Sequence, residues 1–374
     1  MLATTPLADP VTPDWLTSVL RQSGILRHGM VTKIGSEQTG AFNSATSRLL
    51  VQYSADATPD APAQLILKRN VPTDWGIEAG ADEVKFYTLL ASLSDHPPII
   101  VPCYAAAYDE TSGNSYLLLL DLSATHRPPL TRDQQIGLVE NVPSADDLAG
   151  VVEALAQLHA YWWEHPLLAT ETFDIGYWSR SRDRVEAYLQ RRTASWQRLM
   201  TQASDWFPAD LRDLYEHVLA SLPQYWEKYL EPRFRARQRL TLLHGDAYFA
   251  NFLCPKSPTS GPTYILDWQS PGFDIGGYDL VNLCATFWTP EQRHEDQREI
   301  TTLRRYLAAL QACGVQQYTW DDLVTDYQHG LIYWLLVPVQ DGADGSRRDY
   351  WWPKMQCLVA AFRDWRCEAL LDTY

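Results

Sequence analysis

Short apolar runs broken by Gly-, Ser- and Pro-rich segments fill the first 125 residues of this chain, and helical spacings of three and four fill most of the rest. That change of period restricts the fold to a β-rich part followed by a mostly helical part. Residues 13–28 read as a short amphipathic helix, with Pro13 and Asp14 at its start and Gly24 near its end. Val31–Gly35, Thr46–Tyr53 and Gln64–Arg69 then read as strands of a meander, separated by Gly35–Ser44 and Ser54–Ala63. A helix over about 80–93 and a strand at Tyr116–Leu120 complete a small sheet with a helix against it. A linker is expected near residues 121–130. Beyond it, Ser144-Ala-Asp-Asp147 resembles a capping box opening a helix whose apolar face is Leu148, Val151, Val152, Leu155, His159 and Trp162. Further helical patterns cover roughly 178–200, 209–230, 296–312, 320–336 and 353–371, while residues 240–267 read as two strands. The expected division is 1–125 and 126–374.

Composition excludes several classes. The 31 basic and 46 acidic residues leave a net charge of −15, which disfavours a nucleic-acid surface. The longest apolar run, Leu331–Val339, is far short of the ~20 residues of a membrane helix. The six Cys are scattered with no CxxC pair, so neither a zinc site nor a disulfide framework is indicated. With no basic, apolar leader at the N-terminus, a cytoplasmic chain with free thiols is expected. Thirteen of the 15 Trp follow residue 150, which is first of all a matter of core packing.

The segment Leu242-Leu-His-Gly-Asp-Ala-Tyr-Phe-Ala-Asn251, followed by Tyr264-Ile-Leu-Asp-Trp-Gln269, carries the chemistry. Read as a hairpin, Asn251-Phe-Leu-Cys254 and Thr263–Asp267 bring the first residue of one strand beside the last of its partner. An amide oxygen at Asn251 and a carboxylate at Asp267 are hard oxygen ligands suited to Mg²⁺. Asp246, on the loop entering the hairpin, is placed to accept a proton from a substrate hydroxyl. Taken singly, each of these residues is more commonly a turn or cap residue, and His244 a structural one. The ordered set is far more specific than its parts.

His244-Gly-Asp246-x₄-Asn251 with Asp267-Trp268-Gln269 resembles the Brenner-motif region of the aminoglycoside phosphotransferases and choline-kinase-like enzymes. The paired Trp after Leu158-His159-Ala160 is most similar to the ecdysteroid-kinase-like branch. The resemblance spans about residues 31–340. It implies an α+β, protein-kinase-like bilobal fold: a β-rich, nucleotide-binding N-lobe with one key helix, and a mostly helical C-lobe with the catalytic loop and hairpin. It implies Asp246 as catalytic base, Asn251 and Asp267 as Mg²⁺ ligands, and ATP as phosphoryl donor. His244 would order the loop, Asp279 would cap the next helix, and His159 would be a core residue. The fold further requires a strand Lys for the nucleotide phosphates and a helix Glu to hold it. Lys68 ends an apolar strand, and Glu83 shares a helical face with Phe86, Tyr87 and Leu90. A carboxylate on a packed face needs a partner, and Lys68 is the candidate, with a surface pairing to Lys85 or Arg69 as the alternative. Gly35–Ser44 lacks GxGxxG, yet Ser36, Thr39, Asn43 and Ser44 offer phosphate contacts, against the alternative of a plain hairpin turn. Backbone groups near Leu120 and Leu122 would meet adenine.

The expected activity is transfer of the γ-phosphoryl group from ATP to a hydroxyl of a small molecule: a natural product, antibiotic, sugar or amino alcohol. No nucleic-acid or membrane partner is expected. A catalytically weak, nucleotide-binding regulator is the alternative, and a protein kinase is disfavoured by the absence of HRD, DFG and APE segments. Gln340–Trp352 reads as a polar loop, either a lid over the acceptor or a surface loop anchored by aromatics.

Overall fold

The computed structural model describes residues 2–39, 44–138 and 140–372. The chain divides into two compact units, one of residues up to Arg127 together with Leu253–Pro271, the other of Pro128–Phe252 and Gly272 onward.

In the first unit, α1 (Pro13–Gln22) starts where Thr12 accepts the Trp15 N–H and Pro13 occupies the first turn. Its Leu16, Val19 and Leu20 join Leu49, Leu65, Leu67 and Leu118 in one apolar cluster. The sheet is antiparallel, with order β1 (Val31–Gln38), β2 (Ser44–Tyr53), β3 (Gln64–Asn70), β5 (Asn114–Leu120), β4 (Cys103–Asp109). Three features depart from the pattern-based expectation. First, β1 continues past Gly35 to Gln38, so residues 36–38 are strand and not loop. Second, β4 was not foreseen, because Cys-Tyr-Ala-Ala-Ala-Tyr-Asp lacks the β-branched residues that mark strands. Third, α2 (Asp74–Ser92) begins six residues before the expected start, capped by Thr73 on the Gly76 N–H. Glycines conceal its first turns, and Gly80 is there for packing: a Cβ on it would lie 2.2 Å from Ser115 Oγ. A second, three-stranded sheet joins His126–Arg127 to Phe252–Pro255 and that strand to Tyr264–Ile265, with Arg127 opposite Cys254.

The second unit is built on the helices Ala145–Tyr161, Arg182–Ala203, Ala209–Tyr225, Gly277–Cys284, Arg298–Ala312, Trp320–Leu335 and Arg348–Asp364. Ser144 caps the first of these by accepting the Asp147 N–H. A short antiparallel ribbon pairs Thr241–Leu243 with Gly272–Asp274, which sets the entry and exit of the motif segment. Gln340–Trp352 is not a loop. Val337–Ala343 is helical, with Pro338 in the first turn where its missing N–H costs nothing, and the next helix starts at Arg348. All six cysteines are free. Among the described residues no helix is long and apolar enough to cross a membrane.

Candidate active site

Within the first unit, β3 delivers Lys68, α2 delivers Glu83, and the segment after Tyr264–Ile265 delivers Asp267. Lys68 Nζ donates to Glu83 Oε2 at 2.6 Å and to Asp267 Oδ1 at 2.5 Å. Glu83 is 3% exposed, and its Oε1 also accepts the Trp268 N–H at 3.2 Å. The expected pairing of Lys68 with Glu83 is thus present, and the alternative partners Lys85 and Arg69 do not take it. The Trp268 ring stacks on Phe86 with centroids 3.8 Å apart, so the helix that supplies Glu83 also grips the residue after Asp267. Burial alone would push the Lys68 ammonium down; Glu83 and then Asp267 outweigh it and raise it, so the amine stays charged. Burial pushes the Glu83 carboxyl up against the pull of Lys68. One ammonium facing two carboxylates leaves the triad with excess negative charge, which suits a site that also holds a cation. Asp267 has φ +69°, in the left-handed region that Asp tolerates better than most residues. The strand ends at Ile265, so Asp267 sits beyond it and not at its end as expected.

The remaining first-unit expectations have these positions. Ser44 opens β2 and its Oγ lies 2.9 Å from Thr46 Oγ1. Residues 40–43, Asn43 among them, lie outside the described residues. Leu120 closes β5 and donates its N–H to Pro102 O at 2.9 Å. The Leu122 carbonyl accepts from Thr125 and His126, whereas its N–H has no partner among the described residues.

In the second unit the loop after Thr241–Leu243 is wired to Asp279. Asp279 Oδ2 accepts the His244 N–H at 2.7 Å, and Oδ1 accepts the Gly245 N–H at 3.0 Å. His159 Nε2 lies 3.2 Å from the same Oδ2, and its Nδ1 lies 2.7 Å from Tyr306 Oη. Asp279 therefore does not cap its own helix, whose N-cap is Gly276. It fastens two successive amides of the motif loop instead. Gly245 adopts φ +81°, which turns the chain between His244 and Asp246 at a position where a side chain would be strained. His244 is fully buried, and its Nδ1 accepts the Asp246 N–H at 3.3 Å, which is the loop-ordering role expected of it.

Asn251 closes a 3₁₀ turn, Phe249–Asn251, one residue before the strand it was expected to begin. Its Nδ2 donates to Asp246 O at 2.8 Å and to Asp246 Oδ2 at 3.2 Å. Two acceptors on one side fix the amide's orientation, so Oδ1 is the atom left to act as a metal ligand. Among the described residues no group of three or more His, Cys, Asp or Glu side chains is arranged to hold a metal. The oxygen donors expected from the sequence number two, as Mg²⁺ bound largely by phosphates and water requires.

Two residues here escaped sequence reasoning. Gln135, 2% exposed, accepts the Phe249 N–H on Oε1 at 3.0 Å. Lys354, 2% exposed, donates to Asp341 Oδ2 at 3.0 Å. Burial would lower the Lys354 ammonium, yet Tyr248 of the motif loop, followed by Asp341, keeps it raised. Neither has a local pattern that could have marked it.

A two-part α+β fold with a Lys–Glu pair in one part and an HGD loop in the other defines a kinase-like phosphotransferase class. Residues 52–313 match the family model of the phosphotransferase enzyme family. That is more than half of the chain, and the chain belongs to this family. Comparison with curated proteins gives no match. Among solved structures, the GDP complex of wild-type aminoglycoside 2'-phosphotransferase-IIIa is similar at a TM-score of 0.50 and 13% identity, over 95% of this chain and 99% of that one. An ethanolamine kinase from Plasmodium vivax reaches 0.51 at 12% identity, over 89% and 84%. At these identities the likeness shows the fold alone.

Proposed function

We propose that this phosphotransferase moves the γ-phosphoryl group of ATP to a hydroxyl of a small molecule. The observation that carries the reading is Lys68 Nζ, held by Glu83 at 2.6 Å and Asp267 at 2.5 Å. An ammonium fixed between two carboxylates is a rigid point charge for nucleotide phosphates. In this reading the first unit, with Ser44 and the backbone near Leu120 and Leu122, takes the nucleotide, and the helical unit takes the acceptor. The Leu122 N–H, without a partner among the described residues, supports a base contact. The GDP bound by the aminoglycoside enzyme leaves the choice of purine open to test, and ATP is the expectation.

Asn251 Oδ1 and the Asp267 carboxylate would hold Mg²⁺. When bound, the ion offsets charge on the phosphate oxygens. Asp246 orients the acceptor hydroxyl and takes its proton; Asn251 Nδ2 and the His244–Asp279 anchoring hold that carboxylate in place. Rate acceleration then comes mainly from positioning and preset charge. The setting is the cytoplasm, and the acceptor a small alcohol such as a sugar, an amino alcohol or an antibiotic.

The test is Mg²⁺-dependent ATP consumption across a panel of hydroxylated compounds, with product mass measured and Asp246→Ala alongside. We expect a phosphorylated product, turnover lost by at least a hundredfold in Asp246→Ala, and nucleotide affinity within about threefold of the parent. Normal turnover in Asp246→Ala would remove it as the base.

A further inference from the structure

Arg192, on the helix Arg182–Ala203, is 7% exposed. A guanidinium this buried normally has a carboxylate partner, because an uncompensated buried charge is costly. Three other cations withdrawn from solvent keep that rule. Arg293 pairs with Glu299 and Asp364, Arg233 with Asp326, and Lys354 with Asp341. Among the described residues Arg192 forms no such pair. Its Nη1 donates to the neutral Gln340 Oε1, and its guanidinium lies 4.8 Å from the Tyr188 ring centroid. The groups that act on it most strongly are tyrosines: Tyr188, Tyr333 and Tyr177.

The surroundings also have donors to spare. Tyr188 Oη faces the Arg192 guanidinium and Tyr278 Oη faces the Trp178 N–H, both of them donors, so among the described residues these two buried O–H groups have no acceptor; their residues are 1% and 4% exposed. A few such groups in a whole protein are ordinary, but two in one cluster beside a cation with no carboxylate require an explanation. The rings form a continuous wall. Trp178 and Tyr188 have centroids 4.8 Å apart, Tyr188 and Tyr333 are stacked at 6.4 Å, and Tyr278 and Tyr333 are stacked at 4.9 Å and 3°. Tyr177, which directly precedes Trp178, is 56% exposed. Asp274 acts on Tyr278 and Tyr333, but burial pushes its carboxyl up to about 7, so it is a weak counter-charge at neutral pH.

We infer that Arg192 and this aromatic wall form a recognition site for a ligand that joins an anionic group to a flat ring. Arg192 supplies the charge, and the Tyr188 and Tyr278 O–H groups supply further donors to its oxygens. The stacked rings take the apolar body. Tyr278 directly precedes Asp279, which fastens the motif loop. On the phosphotransfer reading above, and resting on it, the ligand is the acceptor. An anionic acceptor is not what the chain's charge of −15 would suggest.

The test is calorimetric titration of the full chain, without nucleotide, using benzoate and phenyl phosphate, with benzyl alcohol and benzylamine as neutral and cationic counterparts. Benzoate or phenyl phosphate is expected to bind at least tenfold tighter than benzyl alcohol, and whichever binds better names a carboxylate or a phosphate. Arg192→Lys, which keeps the charge but loses the planar fork, weakens that anion at least tenfold. Arg192→Met abolishes the preference and melts at the parent's temperature or above, because the charge it removes has no protein partner. A structural arginine would behave oppositely, so collapse of Arg192→Met overturns the site. Benzylamine binding as tightly as benzoate, or no binding by any probe, also overturns it. Anion binding in a protein that transfers no phosphoryl group would leave this site standing and remove the phosphotransfer reading instead.

Discussion

Asp279→Asn isolates the anchoring of the motif loop. Asp279 is 1% exposed and spends both oxygens on it, Oδ2 on the His244 N–H at 2.7 Å and Oδ1 on the Gly245 N–H at 3.0 Å. Asparagine has the same shape but must turn an NH₂ toward one of these donors. With the NH₂ on the Oδ1 side, the Gly245 N–H loses its acceptor; on the Oδ2 side, the His244 N–H loses its acceptor and the His159 contact at 3.2 Å is disturbed as well. The first arrangement is the cheaper. It removes one charge-assisted hydrogen bond, about 1.5–3 kcal/mol, and leaves a part-buried amide unsatisfied, about 1–2 kcal/mol more. We therefore expect a loss of about 3–5 kcal/mol in urea unfolding if the loop stays in place. If the loop yields, the stability loss is smaller and Asp246, two residues past His244, moves. A shift of about 1 Å costs on the order of a hundredfold in turnover. The paired assay is urea denaturation with steady-state kinetics, and nucleotide KM should stay near the parent's. Parent-like stability together with parent-like turnover would refute the anchoring argument. So would a turnover loss that appears only as a rise in nucleotide KM.

Three further outcomes follow from the geometry. Glu83→Gln leaves Lys68 with Asp267 alone and should cost about 3 kcal/mol, as breaking a buried pair does, with a weakened nucleotide KM; parent-like values for both would detach Lys68 from the site. Gly277→Ala would put a Cβ 2.1 Å from Asp326 O, backbone that cannot yield, so the helix bearing Asp279 must shift, at about 3 kcal/mol or more; a melting temperature within a degree of the parent's would contradict this packing. Asp274 is raised from 3.8 to about 7 by burial, and His329 is lowered from 6.5 to about 4, also by burial. The unfolded chain sheds the Asp274 proton first, so that group lowers stability as pH rises from about 4 to 7; it binds the His329 proton first, so that group raises stability from about 4 to 6.5. The two slopes oppose each other. Asp274→Asn should leave stability rising through that window and gain about 4 kcal/mol over the parent at pH 8, and an unchanged pH profile would dismiss the Asp274 shift.

What the sequence disclosed and what it concealed divide along a physical line. Glu83 could be assigned because helical spacing puts it on an apolar face, where a carboxylate is unstable alone, and a lysine ending an apolar strand was at hand. The β-rich and helical parts were readable because periodicity is a local property. The elements that escaped were those whose local signals point elsewhere. Alanines stand where β4 needs branched residues, glycine stands in α2 where Ser115 leaves no room for a Cβ, and a glycine-bearing stretch at 337–343 is helical. The harder losses were connections. Asp279 was recognisable as a structural acid, yet nothing local says that its oxygens serve amides at His244 and Gly245, or that Gln135 serves the amide of Phe249. These are side chains paying respect to backbone donors on distant segments, and a backbone donor has no identity in a sequence. Arg192 extends the same reasoning. Its charge is visible in the sequence, but its burial and the missing carboxylate show only when every neighbour is in place. A motif can therefore name the reacting groups, while the groups that aim them, and those that wait for a ligand, are identified by which polar atoms the folded chain satisfies and which it leaves over.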